Sequence, residues 1–261
     1  MDNLKGCSYK IFSVSSKKKK NKTLTNVRKL CFNYPKVDLS GQRISEQYEA
    51  STIESINNDE VLKDFLNFKP DVTFSLGFPE IIKTAYLEKM GLVINYHNSY
   101  LPSYRGVYAT HCAMLNDEKL CGISFHKIEK EVDVGPLYLQ KKITLDYNKD
   151  AAGNELLKLK TAVQEIGSLL ERVEKKFDPI AQTPSKQCMT HKMFSKKLDE
   201  IYESDKSKIL KIIAICGGYQ IKGKNVDELY VTKVSSEGEF LYVKGMPITL
   251  YKALKWLRLI S

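Results

Sequence analysis

The stretch Gly91-Leu92-Val93-Ile94-Asn95-Tyr96-His97-Asn98-Ser99-Tyr100-Leu101-Pro102-Ser103-Tyr104-Arg105-Gly106 decides the fold. Its short apolar run, Gly91 to Ile94, reads as a strand covered on both faces, and in α/β sheets such strands deliver ligand sites beyond their carboxyl ends. The first polar side chains after the run are an amide, Asn95, and an imidazole, His97. Two residues apart, they project to the same side of a continuing strand. The pair suits acyl transfer: the amide N–H can donate to a carbonyl oxygen that takes up negative charge, and the imidazole can stabilise that oxygen or relay a proton. Asp133 is the candidate third member. It lies between the apolar stretches Cys121 to Ile128 and Pro136 to Ile143, close before Gly135, which permits a tight turn.

The wording around these residues resembles the 10-formyltetrahydrofolate-dependent formyltransferases. Asn95-Tyr96-His97, Ser99-Tyr100-Leu101-Pro102-Ser103-Tyr104-Arg105-Gly106, Gly122-Ile123-Ser124-Phe125-His126 and Asp133-Val134-Gly135 follow the family's blocks in order and spacing. The resemblance is clear from about Lys69 to Gln140 and fades towards both ends. It implies a Rossmann-like α/β fold with a mostly parallel sheet, and Asn95, His97 and Asp133 as catalytic residues. In that reading Asn95 and a protonated His97 stabilise an oxyanion, while Asp133 orients His97 and helps remove a proton from the attacking amine. It also implies 10-formyltetrahydrofolate as formyl donor, with Phe78, Ile81, Ile82, Ile128, Glu129 and Val132 as contacts to its pterin. Ser99 and Arg105 are candidates for the substrate side, Arg105 through bidentate capture of a carboxylate or phosphate, or as a pin for its own loop.

Composition bounds the class. At 261 residues, 43% hydrophobic and 28% charged, the chain fits one large globular domain or one with a small appendage. No apolar run approaches the roughly 18–20 residues that cross a bilayer, and the N-terminus lacks an apolar signal core. The expectation is a cytoplasmic protein without a membrane partner, with a mitochondrial location as the alternative. The six cysteines are scattered without a C-x-x-C and read as reduced core residues. A His97/His111/His126 set with Cys112 lacks zinc-like spacing, so no metal is expected.

The net charge of +10 is concentrated early: Lys17, Lys18, Lys19, Lys20 and Lys22 are followed by Arg28 and Lys29 without an intervening acid. Such a block reads as a solvated loop or as a phosphate-binding loop. It sits between a short strand, Tyr9 to Val14, and a helix, Thr25 to Phe32, where the tRNA-directed formyltransferases carry a basic tRNA-contacting loop. Only Met1 to Ser8 precede that strand, too few residues for the first β–α unit with which the family opens, so the expectation is either a fold without that unit or a sequence that begins late. Val37 to Glu49 reads as loop. Thr52 to Phe68 reads as helical, with Asn57-Asn58-Asp59 offering a cap before its second half, and Asp71 to Gly77 reads as a strand turning into a helix at Pro79.

Further on, Tyr108 to Leu115 reads as a helix, Leu120 to Ile128 and Leu137 to Leu145 as paired strands, and Asp150 to Lys175 as a long helix. The apolar residues of that long helix, among them Leu156, Leu159, Val163 and Leu169, fall at core spacing. Residues 1–180 are read as the catalytic domain. Residues 181–261 are read as a polar linker, Gln182 to Lys197, and a small β-rich domain with a closing helix, Ile248 to Leu259. The favoured acceptor is methionyl-tRNA, from the lysine run and the C-terminal appendage. A nucleotide-linked amino sugar is second, glycinamide ribonucleotide third, and a non-catalytic folate- or RNA-binding relative is the competing class.

Overall fold

The computed structural model describes residues 10–14, 51–183, 188–205, 208–216, 219–223, 226–234, 240–243 and 246–249. The lysine run with Lys17, Lys18, Lys19, Lys20 and Lys22, the helix expected at Thr25 to Phe32, the loop expected at Val37 to Glu49 and the closing helix beyond residue 249 lie outside the described residues.

The α/β organisation is as expected. Strands β1 (Phe12–Val14) and β2 (Ser51–Ile53) pair in parallel. Strands β3 (Thr73–Leu76), β4 (Val93–His97), β6 (Leu120–Lys127) and β7 (Leu137–Thr144) form a four-stranded sheet in the order β3-β4-β6-β7. In it β3 and β4 are parallel, and β6 and β7 extend the sheet antiparallel. Helix α1 (Asp59–Phe68) starts where Asn58 accepts hydrogen bonds from the Glu60 and Val61 amides, and it ends on Lys69 in the left-handed region. Helix α4 (Ala151–Glu174) starts on Asp150, whose carboxylate accepts from the Gly153 N–H.

Strand β4 is covered on both faces because its neighbours in sequence serve two cores. Val93 is fully buried against Ile53, Ile56, Leu62, Phe65 and Met90, while Ile94, also fully buried, packs with Ile123, Phe125, Leu139, Ala162 and Leu169 under α4. Each large apolar side chain so enclosed contributes on the order of 1.5–3 kcal/mol. By alternation, Asn95 and His97 continue the Val93 face, and Tyr96 and Asn98 continue the Ile94 face.

Several expectations are corrected. Thr52 and Ile53, expected at the start of a helix, belong to β2, and α1 starts only at Asp59; residues 77–83 are irregular, and helix α2 (Thr84–Leu87) begins later than Pro79. The Glu80 carboxylate accepts from Ser55 Oγ, the Ile56 N–H and Asn57 Nδ2, and Asn57 Oδ1 accepts from the Lys83 N–H, so side chains take the backbone partners a helix would use. On α4, Leu156, Leu159 and Val163 face outward. Its buried face is Ala151, Asn154, Lys158, Ala162 and Leu169, polar at one end and apolar at the other. The polar stretch read as a linker contains β8 (Cys188–Met189) and the start of helix α5 (His191–Ser204). Phe194, Leu198 and Tyr202 of α5 join a third core with helix α3 (Ala109–Leu115), Ala151 and helix α6 (Ile209–Cys216). Beyond it, β9 (Tyr219–Gly223), β10 (Val226–Val234), β11 (Phe240–Val243) and β12 (Met246–Thr249) form an antiparallel sheet, and β12 takes the residues where the closing helix was expected to start.

Candidate functional site

Antiparallel pairing sets Asn95 opposite His126 and His97 opposite Ser124, so two adjacent strands contribute polar side chains to one face. Asp133 arrives from the β6–β7 connection with φ 56°, a left-handed conformation that Asp tolerates better than most residues. Gly135 makes that turn possible by closeness: a Cβ there would collide with the Lys127 carbonyl oxygen.

The four groups meet. His97 Nδ1 lies 3.5 Å from Asp133 Oδ2, and His126 Nε2 lies 3.3 Å from Asp133 Oδ1 and 3.2 Å from Asn95 Nδ2. The Gly106 N–H donates to Asp133 Oδ2 at 2.8 Å. A carbonyl oxygen only accepts, so His97 Nε2, 3.0 Å from the Tyr104 carbonyl, carries a proton, as does His126 Nδ1, 2.8 Å from the Lys127 carbonyl. Each imidazole therefore turns its remaining nitrogen towards Asp133. Burial holds the His97 pKa below its ordinary value against the opposing pull of Asp133, so the resting imidazole is neutral at pH 7 rather than protonated. Burial also works to raise the Asp133 pKa, but the neighbouring His126 and His97 and the hydrogen bond from the Gly106 amide outweigh it and hold the carboxyl below its usual range. The result is a carboxylate beside a neutral imidazole that has one open proton site.

Beside this cluster is an apolar wall. Phe78, Ile82 and Ile128 pack, half-buried, on the Val93 core that shares a face with Asn95 and His97. Ile81 and Val132 are exposed, at 72% and 38%, and Glu129 is exposed as well. Half-buried and exposed apolar groups next to a polar cluster are what a flat, partly apolar ligand needs.

Two expected substrate contacts point inward. Ser99 is fully buried and donates to the Ser103 carbonyl at 2.6 Å. Arg105 is 2% exposed, and its guanidinium donates to the Val132 carbonyl at 2.7 and 3.1 Å and to Glu131 at 2.6 Å. It pins the connection that carries Asp133, and its bidentate capacity is directed at the protein's own chain. His126, to which the sequence alone assigns no catalytic role, joins the cluster. Its signal was present: Ser124 and His126 repeat, on the neighbouring strand, the two-residue spacing of Asn95 and His97.

The formyl transferase family model matches residues 3–173. Methionyl-tRNA formyltransferase of Thermotoga maritima is 36% identical over 107 residues, 40% of this chain and 34% of the relative. GDP-perosamine N-formyltransferase of Brucella melitensis is 32% identical over 97 residues, 36% of this chain and 37% of the relative. The matched stretch thus spans little more than a third of these curated relatives. Among solved structures, a sugar N-formyltransferase from a Shewanella species superposes with a TM-score of 0.57 at 13% identity, covering 75% of this chain and 69% of that one. A 4-N formyltransferase from Francisella tularensis does so with a TM-score of 0.53 at 17% identity, covering 72% and 78%. These structures share the fold, and the family match spans every residue of the Asn95, His97, His126 and Asp133 cluster; the chain belongs to the formyl transferase family.

Proposed function

We propose that the protein is an N-formyltransferase that moves a formyl group from 10-formyltetrahydrofolate to the primary amine of an acceptor. The observation that carries this reading is the meeting of the Asn95 amide with a neutral His97 and an ionised Asp133 beside an apolar wall. In the overall reaction a bond forms from the acceptor nitrogen to the formyl carbon, the bond from that carbon to the donor nitrogen breaks, and one proton passes from the acceptor nitrogen to the donor nitrogen. Asn95 Nδ2, oriented by His126 Nε2, is the donor to the formyl oxygen as charge develops there. His97 accepts the amine proton at its open nitrogen, and the Asp133 carboxylate stabilises the imidazolium while it lasts. The Tyr104 carbonyl keeps the ring in this orientation. The donor fits the apolar wall: Phe78, Ile82 and Ile128 supply its packed part, and Ile81, Glu129 and Val132 its open rim.

Methionyl-tRNA is the acceptor we favour, on the 36% identity to a methionyl-tRNA formyltransferase and the acid-free run holding Lys17, Lys18, Lys19, Lys20 and Lys22. A nucleotide-linked amino sugar is the second reading, supported by the 32% identity to a GDP-perosamine N-formyltransferase. The cytoplasm is the compartment we favour for this activity, with a mitochondrial location the alternative for a methionyl-tRNA acceptor. No described helix is long and apolar enough to cross a membrane. The test is mass-spectrometric detection of formyl transfer from 10-formyltetrahydrofolate, with methionyl-tRNA and a panel of nucleotide-linked amino sugars offered side by side. Formylated methionyl-tRNA is expected; product on a sugar alone moves the assignment to the second reading, and absence of product on any acceptor overturns the enzymatic one.

A further inference from the structure

We propose that Lys158 is a positioning residue for His97, acting from the opposite face of the sheet by clamping Asn98, the residue that follows it. The proposal rests on the reading of His97 as the proton acceptor. Lys158 is fully buried in the first half of α4, and its ammonium donates to the Asn98 carbonyl at 2.9 Å, to Thr110 Oγ1 at 3.0 Å and to Cys121 Sγ at 3.0 Å. One turn earlier, Glu155 accepts from Asn98 Nδ2 at 3.1 Å. Asn98 is therefore held by both its backbone and its side chain, and both holds come from α4.

The next part of the loop is fixed from the other side. Ser124 Oγ donates to the Ser99 carbonyl and accepts from the Leu101 N–H, and Gln140 Nε2 donates to the Leu101 carbonyl. The loop so fixed leads to Tyr104, whose carbonyl accepts the hydrogen bond from His97 Nε2–H. Burying an ammonium is costly, and an apolar side chain of similar volume would fill the space more cheaply. The clamp gives the lysine a role a leucine could not fill: its three N–H groups reach β4's exit, α3 and β6 at once. Its charge also opposes protonation of His97, whose other facing groups are Asp133, His126 and the Tyr104 carbonyl.

The test compares Lys158→Met and Glu155→Gln with the wild type. It reads the His97 imidazole titration by NMR, assigned against His97→Gln, together with kcat and donor KM. In Lys158→Met the His97 midpoint is expected to rise by about half a pH unit or more. Its kcat is expected to fall about 10–100-fold, with donor KM within about twofold. In Glu155→Gln the imidazole signals are expected to shift and kcat to fall roughly threefold or more. His97 signals and kcat indistinguishable from wild type in both variants overturn the clamp. If Lys158→Met does not fold, Glu155→Gln decides on the same criteria. If wild-type protein turns over no acceptor, the formyl-transfer reading fails, while the His97 titration still decides the clamp.

Discussion

Replacing Asp133 by Asn removes one charge and little else. Asn tolerates the left-handed φ of 56° at this position, and its amide oxygen can keep the hydrogen bond from the Gly106 N–H. The fold should therefore survive with a loss of about 1 kcal/mol. Catalysis loses the partner of the imidazolium that forms when His97 takes the amine proton. At the 3.5 Å separation of His97 Nδ1 and Asp133 Oδ2, an effective dielectric constant of about 20 gives an attraction of about 5 kcal/mol. Since that charge exists only as the reaction proceeds, the rate should fall by roughly three orders of magnitude. Single-turnover formyl transfer, quenched and followed by mass spectrometry at saturating donor, measures the chemical step; thermal unfolding of the same sample confirms the fold. The comparison belongs at neutral pH. The folded Asp133 pKa is depressed, so its stabilising contribution is fully present above its ordinary value near 3.8 and is lost as pH falls through the lower folded value. A folded Asp133→Asn protein with a rate within tenfold of wild type would refute the assignment of Asp133 as counter-ion.

Asn95→Ala removes the donor to the formyl oxygen and should lower kcat about 10²–10³-fold with normal folding, checked by the same assay. His111 is buried, its Nδ1 has no hydrogen-bond partner among the described residues, and burial lowers its pKa to about 4. It stays neutral in the fold but protonates in the unfolded chain, so stability is lost as pH falls from its ordinary 6.5 towards 4. Urea unfolding should show about 2–3 kcal/mol of that loss between pH 7 and 4.5, and it should disappear in His111→Phe, which keeps the edge contacts with Tyr108 and Phe194. Gly135→Ala drives a methyl into the Lys127 carbonyl and should cost about 3 kcal/mol or more, with loss of turnover as Asp133 is displaced; an unchanged melting temperature would contradict this.

What the sequence made legible is what local chemistry controls. The doubly buried strand at Val93 and Ile94, the caps at Asn58 and Asp150, and the β6–β7 pair follow from residue type and period, and the structure has them at those places. Asn95, His97 and Asp133 come together around His126 because two of them share a strand face and the third stands just before a turn only Gly135 can accommodate. What stayed illegible depends on partners distant in sequence. The outward leucines of α4 misled because the surroundings of its first half are polar: Asn98 past β4, Thr110 on α3 and Cys121 on β6 meet Lys158 there, and Asn154 holds the Asp146 backbone. Helix α5 looked like linker because its charges conceal Phe194, Leu198 and Tyr202 at four-residue spacing. Arg105 reads two ways, as a ligand clamp or as a pin for its loop, because a guanidinium fits carboxylates and carbonyls alike, and only the fold selects the pin, with Glu131 and Val132 as partners.

The short pairing of β5 (Arg105–Gly106) with Cys188 and Met189 also sets an order of events during synthesis. The backbone next to the amide that holds Asp133 is braced by the Val107 N–H donating to the Met189 carbonyl, and Met189 is made 83 residues after Gly106. At about 5–20 residues per second, a nascent chain carries its complete set of polar site residues for several seconds before the brace exists. Asn95, His97, His126 and Asp133 are thus present in the chain well before their geometry is secured, and the brace that secures it arrives only with the dipeptide Cys188-Met189.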